Sequence, residues 1–475
     1  MNPIVSGSLA ARILLPVRGW FTGQWSSSRI VNRFLSQSPD ACLTGAGALR
    51  RGSDKILARL QAFCERLRLT RLFKNSIFAM PFLWCALAAA VAPFLPTTGL
   101  IGLTGLCFLT FFIRLIVFND LPRSRSPVNT YIYMYALVYV ISIFTSVSFS
   151  GSLKGGMTTA LFILFSMIIS KSIGSKKQLL GTIYVFVLGG TIVALYGLYQ
   201  YVFGAAGPSW VDPEMFSEIS IRVYSTLGNP NVLAEYLILV IPFAFACLLH
   251  EKNPYLKFIF LGAFGITILC MVFTFARGSW LALLASAAIF LILLDRRYIL
   301  LGIAGLIILY FTLPDVILSR FTSIGNLGDS SSSYRMSIWL GSIAMLKDYW
   351  FTGIGPGTDA FNRIYPLYSF NTAAAQHSHN LFLQLVCDSG ISGLLVFVAM
   401  VFSFLRSLCV SFSRVKDKRK RYFHYAAISS VFGFLVNGIT EYSFYNYRVT
   451  FVFWAVMGLG IAIARLLGPE GEAND

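Results

Sequence analysis

Charge is what this sequence has least of. Only 12% of its 475 residues are Asp, Glu, Lys or Arg, about half of what a soluble domain carries. Acids are the scarcer sign, 20 against 38 bases. The eight cysteines (42, 64, 85, 107, 247, 270, 387 and 409) form no CxxC pair. Most sit in apolar stretches, where a thiol packs as a small hydrophobe, so no disulfide and no metal cluster is expected. A cleavable signal peptide is not expected either, because the first long apolar run begins near Ser76 and the tail before it lacks the ordered regions of one. HExxH, EF-hand and DxD patterns are missing, and the reading is of a chain without metal or other cofactor. A soluble enzyme, a secreted disulfide scaffold and a collagen-like or disordered chain are excluded.

What is present is apolar length: 56% of residues are hydrophobic, mean hydropathy is +0.70, and runs near 20 residues recur. Twelve spans are read, near 76–95, 98–118, 129–149, 157–171, 178–203, 231–250, 255–275, 279–294, 298–313, 380–405, 422–438 and 450–466. Backbone in lipid must satisfy its own hydrogen bonds, so each is expected to be a helix in one all-α polytopic membrane domain. Asp388-Ser389-Gly390 interrupts the tenth span and marks a break or a shorter re-entrant piece. With the N-terminus inside, 29 basic residues fall on the cytoplasmic side and 8 outside, Arg114 completing the 38. That split sets parity and orientation, and a net charge of +18 placed this way speaks for membrane orientation rather than nucleic acid.

The reading divides the chain into a basic cytoplasmic tail at 1–75, a membrane domain at 76–466 and a cytoplasmic end at 467–475. Within the tail, Ile56, Leu57, Leu60, Phe63 and Leu67 share a helical face flanked by basic residues, as in a helix lying on an anionic leaflet. Two outer loops, 204–230 and 314–379, exceed simple connectors. The larger carries four acids against four bases, as a folded neutral cap would, and long loops of this kind carry function.

Sidedness sorts the reactive groups. His250 and His424 fall at cytoplasmic helix ends, while His377 and His379 lie outside, in Gln376-His377-Ser378-His379-Asn380, where the large loop re-enters the membrane. The plain reading is a helix cap supplied by Ser378 or Asn380. The chemical reading is proton transfer, for which imidazole is best suited near neutral pH. Arg222, Arg277 and Arg335 stand on the same side against the orientation rule. Singly, they read as a surface charge, a snorkelling side chain and a salt-bridge partner. As a set they suit a phosphate or pyrophosphate. Glu235 and Asp388 are carboxylates at membrane depth, expected to support an Arg or His. Gly353-Ile354-Gly355-Pro356-Gly357 lacks the Lys and Ser/Thr of a phosphate loop and reads as a turn that positions the large loop.

These features together resemble the O-antigen ligase and O-antigen polymerase superfamily of bacterial inner-membrane glycan transferases. The resemblance rests on the span layout, Ala276-Arg277-Gly278, the Ser-rich run ending at Arg335 with Trp339 and the 353–357 turn, and His379-Asn380 followed by Gly390-Ile391-Ser392-Gly393. It covers roughly 76–466. Arg222-Val223-Tyr224-Ser225, Leu227-Gly228-Asn229-Pro230-Asn231 and Tyr365-Pro366-Leu367-Tyr368 look most like a cyanobacterial branch named for bicarbonate transport.

The resemblance implies a GT-C-like ligase fold with the active site on the outer face of the plasma membrane and both termini cytoplasmic. It implies inverting, metal-independent transfer of a glycan from an undecaprenyl-pyrophosphate carrier to a hydroxyl of a glycan or lipid-glycan acceptor. His379 would be base or orienting residue, and Arg277, Arg335 and Arg222 would bind pyrophosphate. His377 and Asn380 would support, and no nucleic acid would take part. Transport of bicarbonate or another small anion is the alternative, and a structural membrane protein is a third.

Overall fold

A computed structural model describes residues 46–73, 76–121, 126–204, 221–312 and 330–468, with Gly207, Trp210, Asp315 and 317–318 as isolated positions. The tail before Ala46, most of 205–220, most of 313–329 with Arg320, and 469–475 lie outside the described residues. Among the described residues, all regular structure is helical.

Sixteen α-helices run in order among them. They are α1 (Ala46–Arg66), α2 (Leu69–Phe73), α3 (Pro81–Val91), α4 (Thr97–Val117), α5 (Pro127–Phe144), α6 (Phe149–Ser172), α7 (Lys176–Phe203) and α8 (Pro230–His250). Then follow α9 (Pro254–Phe273), α10 (Arg277–Leu294), α11 (Tyr298–Thr312), α12 (Ser330–Tyr349), α13 (Thr358–Ile364), α14 (Leu381–Arg414), α15 (Lys418–Asn437) and α16 (Tyr447–Leu466). The chain separates into compact units at 1–59 and 60–475, and the described part of the first is the beginning of α1. In α1, Ile56, Leu60 and Phe63 are exposed.

A helix stands at each of the twelve apolar spans. Nine described helices are long and apolar enough to cross a membrane: α4 to α10, α14 and α16. Pro81–Phe94 and α11 are shorter, and α15 opens on Lys418-Arg419-Lys420-Arg421. Polar side chains start several of these helices: Ser175, Asn229, Asn253, Asn380, Asp417 and Asn446 each accept a hydrogen bond from a backbone N–H of the first turn. Pro at the first position of α8 and α9 fits the same start, since that N–H has no helical partner.

At the centre, α8 and α16 are buried along nearly their whole length. Helix α8 packs on α15 and α9, α16 on α6, and α14 on α5. At this centre Tyr135 stacks on Trp454 with ring centroids 5.9 Å apart and lies tilted against Phe397 at 5.5 Å.

The interruption at 388–390 is a kink inside α14. Ser389 (φ −140°) and Gly390 (φ +66°) leave helical geometry, and the broken hydrogen bonds are taken up by the turn after α12. Ile354 N–H donates to Cys387 O at 2.7 Å, and Ile391 N–H donates to Trp350 O at 2.8 Å. A Cβ on Gly390 would lie 1.9 Å from Phe351 O, so glycine is required there by space as well as by φ. Gly353 answers it from the other side, at φ +70° and against Cys387 O and the Gly390 N–H. The glycine-rich turn therefore seats the end of α12 in the kink, as a positioning turn.

Candidate active site

The beginnings of α8, α10, α14 and α16 and the ends of α7, α9 and α15 meet at one end of the bundle. Asn380 starts α14: its Oδ1 accepts from Leu383 N–H at 2.9 Å, while its Nδ2 donates to Ile439 O at 2.7 Å. Leu381 N–H donates to Gly438 O at 2.7 Å. These bonds bind the His-containing segment to the turn between α15 and α16, which carries Glu441.

Glu441 is the hub of the site. Its Oε1 accepts from the Arg335 guanidinium on α12 and from Asn231 Nδ2 on α8 at 2.8 Å. Its Oε2 faces His379 Nδ1 at 3.4 Å. Arg222 joins through Asn231, giving an Nη2 hydrogen bond to Oδ1 at 2.7 Å, and also donates to Thr274 O at 2.9 Å. Val223 N–H pairs with Phe273 O at 3.1 Å, which lays the Arg222 segment beside the Phe275-Ala276-Arg277 turn. Arg222, Arg277 and Arg335 thereby line one cavity of about 40 Å³ with Asn231, Thr440 and Glu441.

Burial raises the pKa of Glu441, but Arg335 first and then His379 and His377 oppose it, and the carboxyl is held down at about 2. It is an anion throughout the working range. With the proton on Nδ1, His379 donates to that anion and keeps Nε2 as its basic nitrogen. His379 backbone is at φ +48°, uncommon for a residue with a side chain. Trp339 Nε1–H donates to its carbonyl at 3.4 Å, and the Tyr334 ring lies edge-on at 6.0 Å.

His377 is different. Its Nδ1 accepts from His379 N–H at 3.2 Å, and its ring lies 4.5 Å from Tyr445. Burial, with help from His379 and Arg335 and against Glu441, pulls its pKa down to about 3, so it stays neutral. It borders a second cavity, of about 520 Å³.

The two carboxylates at depth divide. Asp388 is buried, accepts from Gln384 Nε2 at 2.8 Å and from Tyr442 O–H at 3.1 Å. Gln384 Oε1 in turn accepts from Ser378 N–H at 2.7 Å. Asp388 thus reaches the histidine segment through Gln384, one helical turn earlier, and not through the kink that follows it. Glu235 is buried on the same face of α8 as Asn231, with Ser443 and Glu441 as electrostatic neighbours.

All eight residues singled out by sequence belong to this end of the molecule. Two plain readings also describe real bonds: Asn380 caps a helix and Arg335 forms a salt bridge. Arg222, read singly as a surface charge, is instead tied to Thr274 O, Trp210 O and Asn231 Oδ1. Glu441, Asn231 and Trp339 are the additions (Asn231 and Trp339 had appeared only as motif residues). The sequence offered only a partial signal for Glu441, a single acid in the short turn between the last two spans, and nothing in it named the partners. Among the described residues, no three His, Cys, Asp or Glu side chains gather as a metal site.

Residues 262–398 match the family model described as O-antigen ligase. The matched stretch is similar to an O-antigen ligase domain over somewhat less than a third of the chain. That stretch holds Arg277, Arg335, His377, His379, Asn380 and Asp388, while Arg222, Glu235 and Glu441 lie outside it. The chain is also similar to a ComP-specific O-oligosaccharyltransferase of Acinetobacter baylyi, 25% identical over 241 residues, or 48% of this chain and 42% of that protein. A second relative is the exopolysaccharide production protein ExoQ of Rhizobium meliloti, 24% identical over 311 residues, or 59% of this chain and 66% of that protein. The chain thus spans less than two thirds of the length of either relative.

Proposed function

We propose that this protein is a membrane glycosyltransferase that moves a glycan from an undecaprenyl-pyrophosphate carrier to an acceptor hydroxyl on the outer face of the bacterial plasma membrane. The observation that carries the reading is the meeting of His379 with three arginines around the buried carboxylate Glu441. The hydroxyl oxygen attacks the anomeric carbon of the donor sugar as the bond to the pyrophosphate oxygen breaks. The configuration inverts, and the electron pair leaves with the pyrophosphate.

Negative charge grows on that leaving group, and preorganised guanidinium groups stabilise it in the transition state. Arg277, Arg335 and Arg222 take this part. His379 Nε2 receives the proton of the attacking hydroxyl. Glu441 orients the ring through Nδ1 and also fixes Arg335, so one carboxylate aligns the base with the anion site. Asn380 holds the segment in place, His377 stays neutral beside it, and Asp388 and Glu235 support from below. The names of both relatives, one for oligosaccharide transfer and one for exopolysaccharide production, favour transfer over carriage of a small anion.

The test is the lipid-linked glycan profile of cells carrying His379→Ala or Arg277→Ala at matched membrane levels. Accumulated polyprenyl-linked glycan with loss of finished surface glycan in both is the expected result. A wild-type profile in both would sink the transfer reading and make anion uptake the next measurement.

A further inference from the structure

The histidine pair separates two cavities of unlike chemistry. On the Glu441 side lies the small one with three arginines. On the His377 side lies the large one, about 520 Å³, lined by Gln384, Tyr442, Tyr445, Tyr447 and Arg448 among others. Its size is within the roughly 300–1,000 Å³ usual for small-molecule sites. Tyrosine rings beside amide and imidazole groups offer flat apolar faces and hydrogen-bonding edges, the combination a sugar ring presents in complement.

Arg448 is the unusual member. It stands in the first turn of α16, partly buried, and its guanidinium donates to Pro93 O at 3.4 Å and to Thr226 O. Both partners are neutral carbonyls. Among the described residues no carboxylate pairs with it, whereas Arg335 across the histidines has Glu441. A guanidinium has five N–H donors, and those two bonds leave several for a ligand. A partly desolvated cation bordering a cavity is stabilised by an anion placed there.

Resting on the transfer reading, we propose that this cavity seats the acceptor glycan and that Arg448 selects acceptors bearing an acidic group, a sugar carboxylate or a sugar phosphate. The side follows from the displacement. With pyrophosphate in the arginine cavity, an inverting attack brings the acceptor hydroxyl from the opposite side of the anomeric carbon, which is the side of His377 and Arg448.

The experiment measures transfer in membranes holding wild type, Arg448→Gln or Arg448→Lys, with three probe acceptors. They are a disaccharide ending in glucuronic acid, one ending in glucose 6-phosphate and one ending in neutral glucose. Gln keeps N–H donors for the two carbonyls and removes the charge. Wild type is expected to prefer one acidic acceptor, and which one identifies carboxylate or phosphate. Arg448→Gln is expected to raise KM for that acceptor about tenfold or more, with Lys intermediate. KM for the neutral acceptor and for the lipid-linked donor stays unchanged.

Equal KM for all three acceptors in wild type overturns the proposal, as does an Arg448→Gln effect on donor KM alone. Those results leave transfer itself standing. Absence of transfer to any acceptor, with anion uptake present, sinks the transfer reading and this proposal with it. If Arg448→Gln fails to accumulate, inhibition of wild-type transfer by free glucuronate or glucose 6-phosphate decides: inhibition by either, and none by glucose, supports the site, and inhibition by neither overturns it.

Discussion

Histidine, arginine and glutamate occur at both ends of the helix bundle. At the end where α8, α14 and α16 finish, His250 Nδ1 lies 3.3 Å from Arg419 O, Arg421 Nε donates to Val415 O at 2.8 Å, and Arg465 Nη2 donates to Ser170 O at 2.8 Å. Tyr184 O–H donates to Glu251, and His424 is fully buried against Ser411 Oγ at 2.9 Å. The cations there close carbonyls that helix ends leave unpaired, at the negative pole of each helix. At the other end, Arg335 and His379 share a carboxylate, the arginines border a cavity, and His379 keeps a quarter of its side chain exposed. Residue type alone therefore does not mark a site. What satisfies the residue, and whether a cavity adjoins it, does.

The largest effect should come from exchanging the two histidines as targets. His379→Ala is expected to slow glycan transfer by about 10²–10⁴-fold, the range for losing a positioned base. His424→Ala should leave the rate per folded molecule unchanged and lower thermal stability, read by transfer assays and by melting in detergent. Equal rate losses in both would dissolve the contrast between the ends.

Arginine substitutions come next. Arg277→Ala and Arg335→Ala should each lower the rate roughly 10²–10³-fold, as for removal of one group that stabilises transition-state charge. Arg421→Ala at the far end should act on stability alone. Arg335→Lys should restore little, because a point charge does not reproduce the two-handed guanidinium fork.

Asp388→Asn tests a smaller link. It disturbs the bonds to Gln384 and Tyr442 while keeping the shape, so a loss of about 1 kcal/mol, or roughly fivefold in rate, is expected. An effect as large as that of His379→Ala would place Asp388 in the chemistry itself.

A separate comparison concerns stability against pH rather than rate. His377 binds its proton near pH 3 folded and near its ordinary 6.5 unfolded, so unfolding takes up protons between those values and stability falls as pH drops through that window. Glu441 adds to the loss between its ordinary 4.5 and about 2, because its depressed pKa favours the folded state only while it is ionised. His377→Gln should flatten the melting curve above pH 4.5 and leave the Glu441 part in place. An unchanged slope would contradict the neutral burial of His377.

Much of this arrangement was legible because membrane placement is a strong filter. Apolar length located the helices, since backbone in lipid must be helical, and the basic residues sorted the ends. The three arginines were legible as a group because span parity set all three at the same end of the bundle, where they line one cavity. Asp388 was legible as a supporting residue, but its route was not: whether Gln384 lay between it and the histidines depends on the Ser378 turn, which has no periodic signature. Glu441 was hidden for a related reason. Its partners come from α8, α12 and the 377–380 segment, 62 to 210 positions away in sequence, and only the packed bundle brings them to one carboxylate.

That carboxylate is where the account is most exposed. Transfer from a lipid-linked donor should be measured in membranes holding Glu441→Gln beside wild type at equal protein level. A fall of at least 10²-fold is expected, because the base loses its orienting anion and Arg335 its partner in one step. A wild-type rate would contradict it and return His379 and the arginines to separate structural roles.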